Sequence, residues 1–190
     1  ALLMPSLRFS EDLGTVVKTP VFIVLNETSD VEFIPNMTAN RGNVLETRYR
    51  KLWDKTDLDA SIYTGDVSTF EKNREFVAAA DVKMKSTIRN NWKVNLNFKR
   101  SSQDTFLRRY DLNNDTVLKS EFSGSKTTNN SFYNVEFSEV QNLTDTSANK
   151  NSPRILPSIT FERTSKGFIK NQELTTKMQA NHISNDLGHD

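Results

Sequence analysis

A chain of 190 residues suffices for one domain or for a piece of a larger one, and its 25 Lys and Arg against 24 Asp and Glu give a net charge of +1, no basis for binding nucleic acid. The absence of cysteine excludes a disulfide frame, a thiolate metal site and a cysteine nucleophile. Hydrophobic residues are only 35% and the mean hydropathy is −0.61, yet 12 Phe exclude an ordinary disordered composition, which points to strands with one wet face.

Alternating segments separated by Asn, Asp, Ser, Gly and Thr clusters predict about eleven strands, over 2–9, 16–25, 31–38, 43–53, 57–66, 75–87, 91–103, 115–125, 131–142, 153–164 and 171–183. Several have ten residues or more, against 5–6 in ordinary soluble sheets, and about 9–11 residues is what a tilted strand needs to cross a bilayer. The first two carry Pro5 and Pro20, 15 residues apart. Proline has no N–H for a ladder bond, so consecutive strands each holding one predict a sheet end that pairs poorly, or two ordinary edge prolines.

Further along, Val31, Phe33, Pro35 and Met37 oppose Glu32, Asn36 and Thr38, and Leu45, Thr47 and Tyr49 oppose Glu46, Arg48 and Arg50. Three successive charges on one strand face cannot enter a dry core; they must meet water or one another across strands. Phe76, Ala78, Ala80, Val82 and Met84 then oppose Asp81, Lys83 and Lys85. The sharpest segment is 92–99, where Trp92, Val94, Leu96 and Phe98 alternate with Lys93, Asn95, Asn97 and Lys99. Later strands repeat the pattern: Tyr133, Val135 and Phe137 against Asn134 and Glu136, then Ile159 and Phe161 against Thr160 and Glu162, then Leu174, Met178 and Ala180 against Thr175, Lys177 and Gln179.

Between strands, Asp104 to Tyr110 reads as a helical turn capped by Asp104, with Phe106, Leu107 and Tyr110 as an apolar stripe, or as a strand running outward. Asp111, Asn113 and Asp115 resemble the opening of a calcium loop. Thr116 and Phe122 stand where the turn glycine and the bidentate glutamate belong, so an Asx-rich turn is the better reading. His182 and His189 lack partners at ligand spacing, and six glycines form no phosphate loop. The sequence predicts no catalytic residue, metal or cofactor. No apolar run reaches 18 residues, so no transmembrane helix is expected. Two all-β architectures remain open: a sandwich with a solvated outer face, or a barrel with lipid outside and a hydrated interior. Trp53, Trp92, Tyr49, Tyr63, Tyr110 and Tyr133 fall near predicted strand ends, where a bilayer girdle or plain edge packing would place them.

Several short motifs occur in a familiar order: Leu2-Leu3-Met4-Pro5-Ser6, Lys18-Thr19-Pro20-Val21-Phe22, Ile34-Pro35-Asn36-Met37-Thr38 and Arg41-Gly42-Asn43-Val44-Leu45. Asp104-Thr105-Phe106-Leu107-Arg108-Arg109-Tyr110, Leu156-Pro157-Ser158-Ile159-Thr160-Phe161 and the terminal Gln179-Ala180-Asn181-His182 with Asp186-Leu187-Gly188-His189-Asp190 follow. Together they resemble the start of the barrel of the LptD (OstA) family, Gram-negative outer-membrane proteins of lipopolysaccharide assembly. The resemblance implies a very large antiparallel transmembrane barrel, a periplasmic jellyroll before it, a plug lipoprotein LptE in the lumen, and LptA as the periplasmic bridge that delivers lipopolysaccharide. It implies that lipopolysaccharide leaves sideways between the first and last strands, with Pro5 and Pro20 as lateral-gate elements. On this reading residues 1–190 are a partial barrel of about the first eleven strands, without the jellyroll or the closing strands. Glu46, Arg48, Arg50, Lys83, Lys85, Lys93 and Lys99 would line the lumen. The expected function is insertion of lipopolysaccharide into the outer leaflet through a barrel seam. The alternatives are a passive porin-like channel and a soluble β-sandwich binding module.

Overall fold

The computed structural model describes residues 1–68, 74–144, 154–167 and 172–184. The described strands form one antiparallel sheet: β1 (Ser6–Ser10), β2 (Gly14–Lys18), β3 (Val21–Asn26), β4 (Ser29–Thr38), β5 (Gly42–Trp53), β6 (Thr56–Ser68), β7 (Arg74–Ile88), β8 (Trp92–Ser101), β9 (Val117–Thr127), β10 (Ser131–Asn142), β11 (Arg154–Lys166) and β12 (Glu173–Ser184). Neighbours follow chain order, β1-β2-β4-β5 and onward to β12, with β3 also on β4, so the sheet is a meander. It is open, with β1 and β12 as its edges, and among the described residues no second sheet covers its apolar face. Among the described residues no helix is long and apolar enough to cross a membrane.

The predicted all-β class holds, with twelve strands where the pattern gave about eleven. The extra strand comes from the predicted segment 16–25. Val16, Val17 and Lys18 of β2 oppose Thr38, Met37 and Asn36, and Val21 and Phe22 of β3 oppose Phe33 and Glu32 at the same offset. The two are halves of one extended line, interrupted at Thr19-Pro20. The predicted strand 2–9 is also divided: Leu2 bridges Val21, but β1 begins with Ser6 opposite Lys18. Between those pairs lie three residues on one side and two on the other, a bulge-like shift at Met4-Pro5.

Directly opposed residues in antiparallel strands share a face. The register therefore assembles one continuous apolar face, with Leu45, Ile62, Phe76, Phe98, Phe122, Ile159 and Met178 among its large, exposed side chains. The opposite face is polar along most of its length. At one end of that polar face it becomes a packed core, where Val44, Tyr63, Val67, Val77 and Ala79 meet a short helix, α1 (Phe106–Arg109). Phe106 and Tyr110 are 0% and 1% exposed, so the 102–116 connection folds back onto this end rather than continuing as a strand. Thr105, not Asp104, occupies the N-cap position, with no side-chain cap bond.

The strand-end aromatics separate accordingly. Trp53, Trp92 and Tyr133 stand on the apolar face at the end away from α1, with the Tyr133 ring in tilted contact 5.1 Å from Phe161 and 6.4 Å from Trp92. Tyr63 and Tyr110 instead belong to the buried cluster, because the apolar contacts of α1 draw them to the polar face.

Candidate functional site

All seven charged residues expected on one surface do share a face. Glu46 opposes Tyr63, Arg48 opposes Ser61 and Arg50 opposes Asp59 across β5 and β6. Asp59 opposes Lys83 and Asp57 opposes Lys85 across β6 and β7. Lys99 opposes Asp81 and Lys93 opposes Thr87 across β7 and β8. The face extends through Ser123, Asn134 and Glu136 to Gln179 and Lys177 on β12. Three of the cations expected here pair with carboxylates on other strands or connections. Arg48 donates two hydrogen bonds to Asp59, Arg50 reaches Asp30 at 2.8 Å, and Lys99 lies 2.8 Å from Asp115 and 3.7 Å from Asp81. A trough of about 510 Å³ runs over this face, bordered by Lys83, Lys85, Asn95, Asn97, Glu121 and Ser123.

The prolines meet at the first-strand edge. Leu3 donates to the Pro20 carbonyl at 2.9 Å, and Pro20 has no N–H to return the bond. Leu3 and Pro20 therefore form a hydrogen-bonded pair with only half of its bonds. Pro5 lies just before β1, at the register shift between the Leu2–Val21 bridge and the Ser6–Lys18 pair. Pro20 thus withholds a donor across the first strand interface, and Pro5 lies beside it at the register shift.

The family model for LPS transport system D, LptD, matches residues 72–190, more than half of the chain. The chain belongs to the LptD family. That membership assigns it to lipopolysaccharide transport. The matched region holds β7 to β12 and α1, with Lys83, Lys85, Lys93 and Lys99; Pro5, Pro20, Glu46, Arg48 and Arg50 lie before it, in the same hydrogen-bonded sheet. No curated protein matches the chain.

In this LptD-family sheet the turn joining β1 to β2 is anchored to the 102–116 connection. Gly14, at φ +71°, closes that turn in a conformation a side chain disfavours. Leu13 is 1% exposed within the α1 cluster. The Asp12 carboxylate takes Arg41 at 2.7 Å and Arg109 at 3.3 Å. Arg8 of β1 reaches Asp111 at 3.0 Å. Tyr110 donates towards the carbonyls of Arg41 and Gly42 at 3.1 and 3.3 Å, and burial pushes its phenol above the ordinary tyrosine value, which keeps it a neutral donor. The Lys99 ammonium and the Asn113 amide hold the Asp115 carboxyl below its ordinary value. Asp111, Asn113 and Asp115 are thus committed to ion pairs and an Asx-type turn, the Asp115 N–H donating to the side-chain Oδ1 of Asn113 at 2.8 Å. His182 lies exposed on β12, and His189 and the motif residues 186–190 lie outside the described residues.

The anchor is what sequence reading missed. Asp12, Arg41 and Arg109 are scattered along the chain, and no local pattern joins them. The Phe106, Leu107 and Tyr110 stripe was the one available signal.

Proposed function

We propose that this chain is the leading part of an outer-membrane barrel through which lipopolysaccharide is inserted laterally into the outer leaflet. The apolar face would meet lipid and the charged face a hydrated lumen, with Glu46, Arg48, Arg50, Lys83, Lys85, Lys93 and Lys99 lining it. Lipopolysaccharide would leave at the edge bordered by β1, where Pro5 and Pro20 act as gate elements by withholding ladder donors. The observation that carries this reading is the weakened pairing beside the β1 edge, where Pro20 returns no bond to Leu3 and Pro5 sits at the adjoining register shift. A plug lipoprotein of the LptE kind would occupy the lumen, and an LptA-like bridge would deliver substrate from the periplasm. Energy must come from elsewhere, since nothing in the sequence resembles a nucleotide site.

The connections orient the sheet. At the far end those at 27–28, 54–55, 89–91 and 128–130 have two or three residues and 167–172 has six, while the α1 end, besides three-residue turns at 11–13 and 39–41, carries the fifteen-residue 102–116 connection. Membrane barrels place short turns in the periplasm and longer loops outside, so the α1 end faces the exterior.

Depletion of the full-length protein tests the function, with surface lipopolysaccharide and large-solute influx measured together. Loss of newly delivered lipopolysaccharide before any fall in influx supports export. Falling influx with normal surface lipopolysaccharide would replace it with the porin-like channel.

A further inference from the structure

The proline-weakened level extends one strand further than the two prolines at the edge. Thr19 donates to the Pro35 carbonyl at 3.4 Å, a long bond, and Pro35 has no N–H to return it. Pro35 lies in β4, opposite Thr19 at the offset shared by β2 and β3. The ladders on either side of this level carry full-length bonds: Ala39 donates to Thr15 at 3.1 Å, and Phe22 to Ala1 at 2.7 Å. Three neighbouring lines of chain therefore each carry a proline within one residue of a common level. Pro20 lacks its donor towards the first strand and Pro35 towards the second. The level stops at β4. Alternation turns the Pro35 nitrogen away from β5, and β4 and β5 stay in register without interruption from Ser29 opposite Lys51 to Asn36 opposite Val44.

We propose that Pro35 is a third positioning residue of the exit seam, which makes β4 the fixed support and the two lines before it a strip that bends along the proline level. This rests on the reading that lipopolysaccharide leaves at the β1 edge, and it deepens that reading. A seam weakened only at its outermost interface would peel a single strand. A level of missing donors crossing two interfaces lets both lines flex together without breaking the pairing above and below it. The closed end of the strip is held by Leu13 and Asp12 in the α1 cluster, so the motion has a fixed side.

The test uses the full-length protein in cells depleted of the unaltered copy, with Pro35→Ala, Pro35→Val and Pro20→Ala variants. Pro157→Ala, in β11 at a register shift far from this edge, is the control. Newly made lipopolysaccharide reaching the surface is timed at matched amounts of folded barrel, and resistance of the barrel to urea is measured on the same samples. Restoring the N–H at 35 should slow delivery about fivefold, the factor that one net hydrogen bond represents, while the barrel becomes more resistant to urea. A residue of merely structural value would lose resistance instead. Pro20→Ala with Pro35→Ala should be slower than either alone, and Pro157→Ala should deliver at the original rate. Unchanged delivery in both Pro35 variants, with Pro20→Ala slowed, would overturn the role of Pro35 and leave the exit seam standing. Unchanged delivery in every variant, Pro20→Ala included, would overturn both.

Discussion

Gly42 sits at φ +97°, and a Cβ there would collide with the Asp66 carbonyl across the β5 and β6 ladder. Gly42→Ala should therefore cost about 1–3 kcal/mol and lower the yield of heat-modifiable barrel. Asp12 carries a different load, since its carboxylate holds Arg41 and the largely buried Arg109 together. Asp12→Ala leaves two guanidiniums facing each other. A loss of roughly 2 kcal/mol in urea unfolding of the full-length barrel is expected, largely recovered by Asp12→Glu. Wild-type unfolding of Asp12→Ala would show that Leu13 anchors the turn without the ion pairs. Asp115 titrates in a defined sense. Its folded value is depressed, so its pairing with Lys99 adds stability above the ordinary carboxylate value and loses it as pH falls through the depressed one. Chemical shifts of Asp115 should then hold steady between about pH 8 and pH 5 and move only in stronger acid. At this scale the sequence was informative where chemistry is local, as in the Asn113 and Asp115 turn. It was silent on Asp12, whose partners lie 29 residues away in Arg41 and far beyond in Arg109.

Strand faces were the most legible feature, because a period of two needs no tertiary information. Every charged position from Glu46 to Lys99 that alternation assigned to one face shares that face across β5 to β8. The departures have specific causes. Pro20 splits one predicted strand because a residue without an N–H ends the ladder locally while the offset continues through it. Tyr63 and Tyr110 fell near predicted strand ends, where a girdle or plain edge packing would place them, yet α1 packs where Tyr63 emerges, a contact that alternation cannot foresee. Face assignment yields a paired substitution in β8. Leu96→Arg, on the apolar face, should cost about 2–4 kcal/mol near a bilayer midplane, whereas Asn97→Arg on the charged face should be tolerated. Urea unfolding of the full-length protein in lipid vesicles separates them, and equal costs would contradict the two-faced sheet in a membrane.

For the molecule as a whole, a single open sheet with one apolar face and one charged face gives the β1 edge its significance. Family membership was legible in motifs spread over the chain, and the family match to residues 72–190 establishes it without the first 71 residues. The placement of α1 over one end was not legible, because the Phe106, Leu107 and Tyr110 stripe marks an apolar face without saying which strands it meets. Orientation across the membrane can be checked by labelling, since this chain has no cysteine and Asn114 and Asn129 are both exposed. Asn114→Cys should react with an impermeant maleimide in intact cells, and Asn129→Cys only after the outer membrane is breached; the opposite order would invert the sheet. The most direct test of the exit seam replaces Pro5 and Pro20 together by alanine in the full-length protein and times the arrival of new lipopolysaccharide at the cell surface. Restored ladder bonds should leave a folded barrel that delivers it many times more slowly; delivery at the unaltered rate from that folded barrel would contradict an exit at the β1 edge.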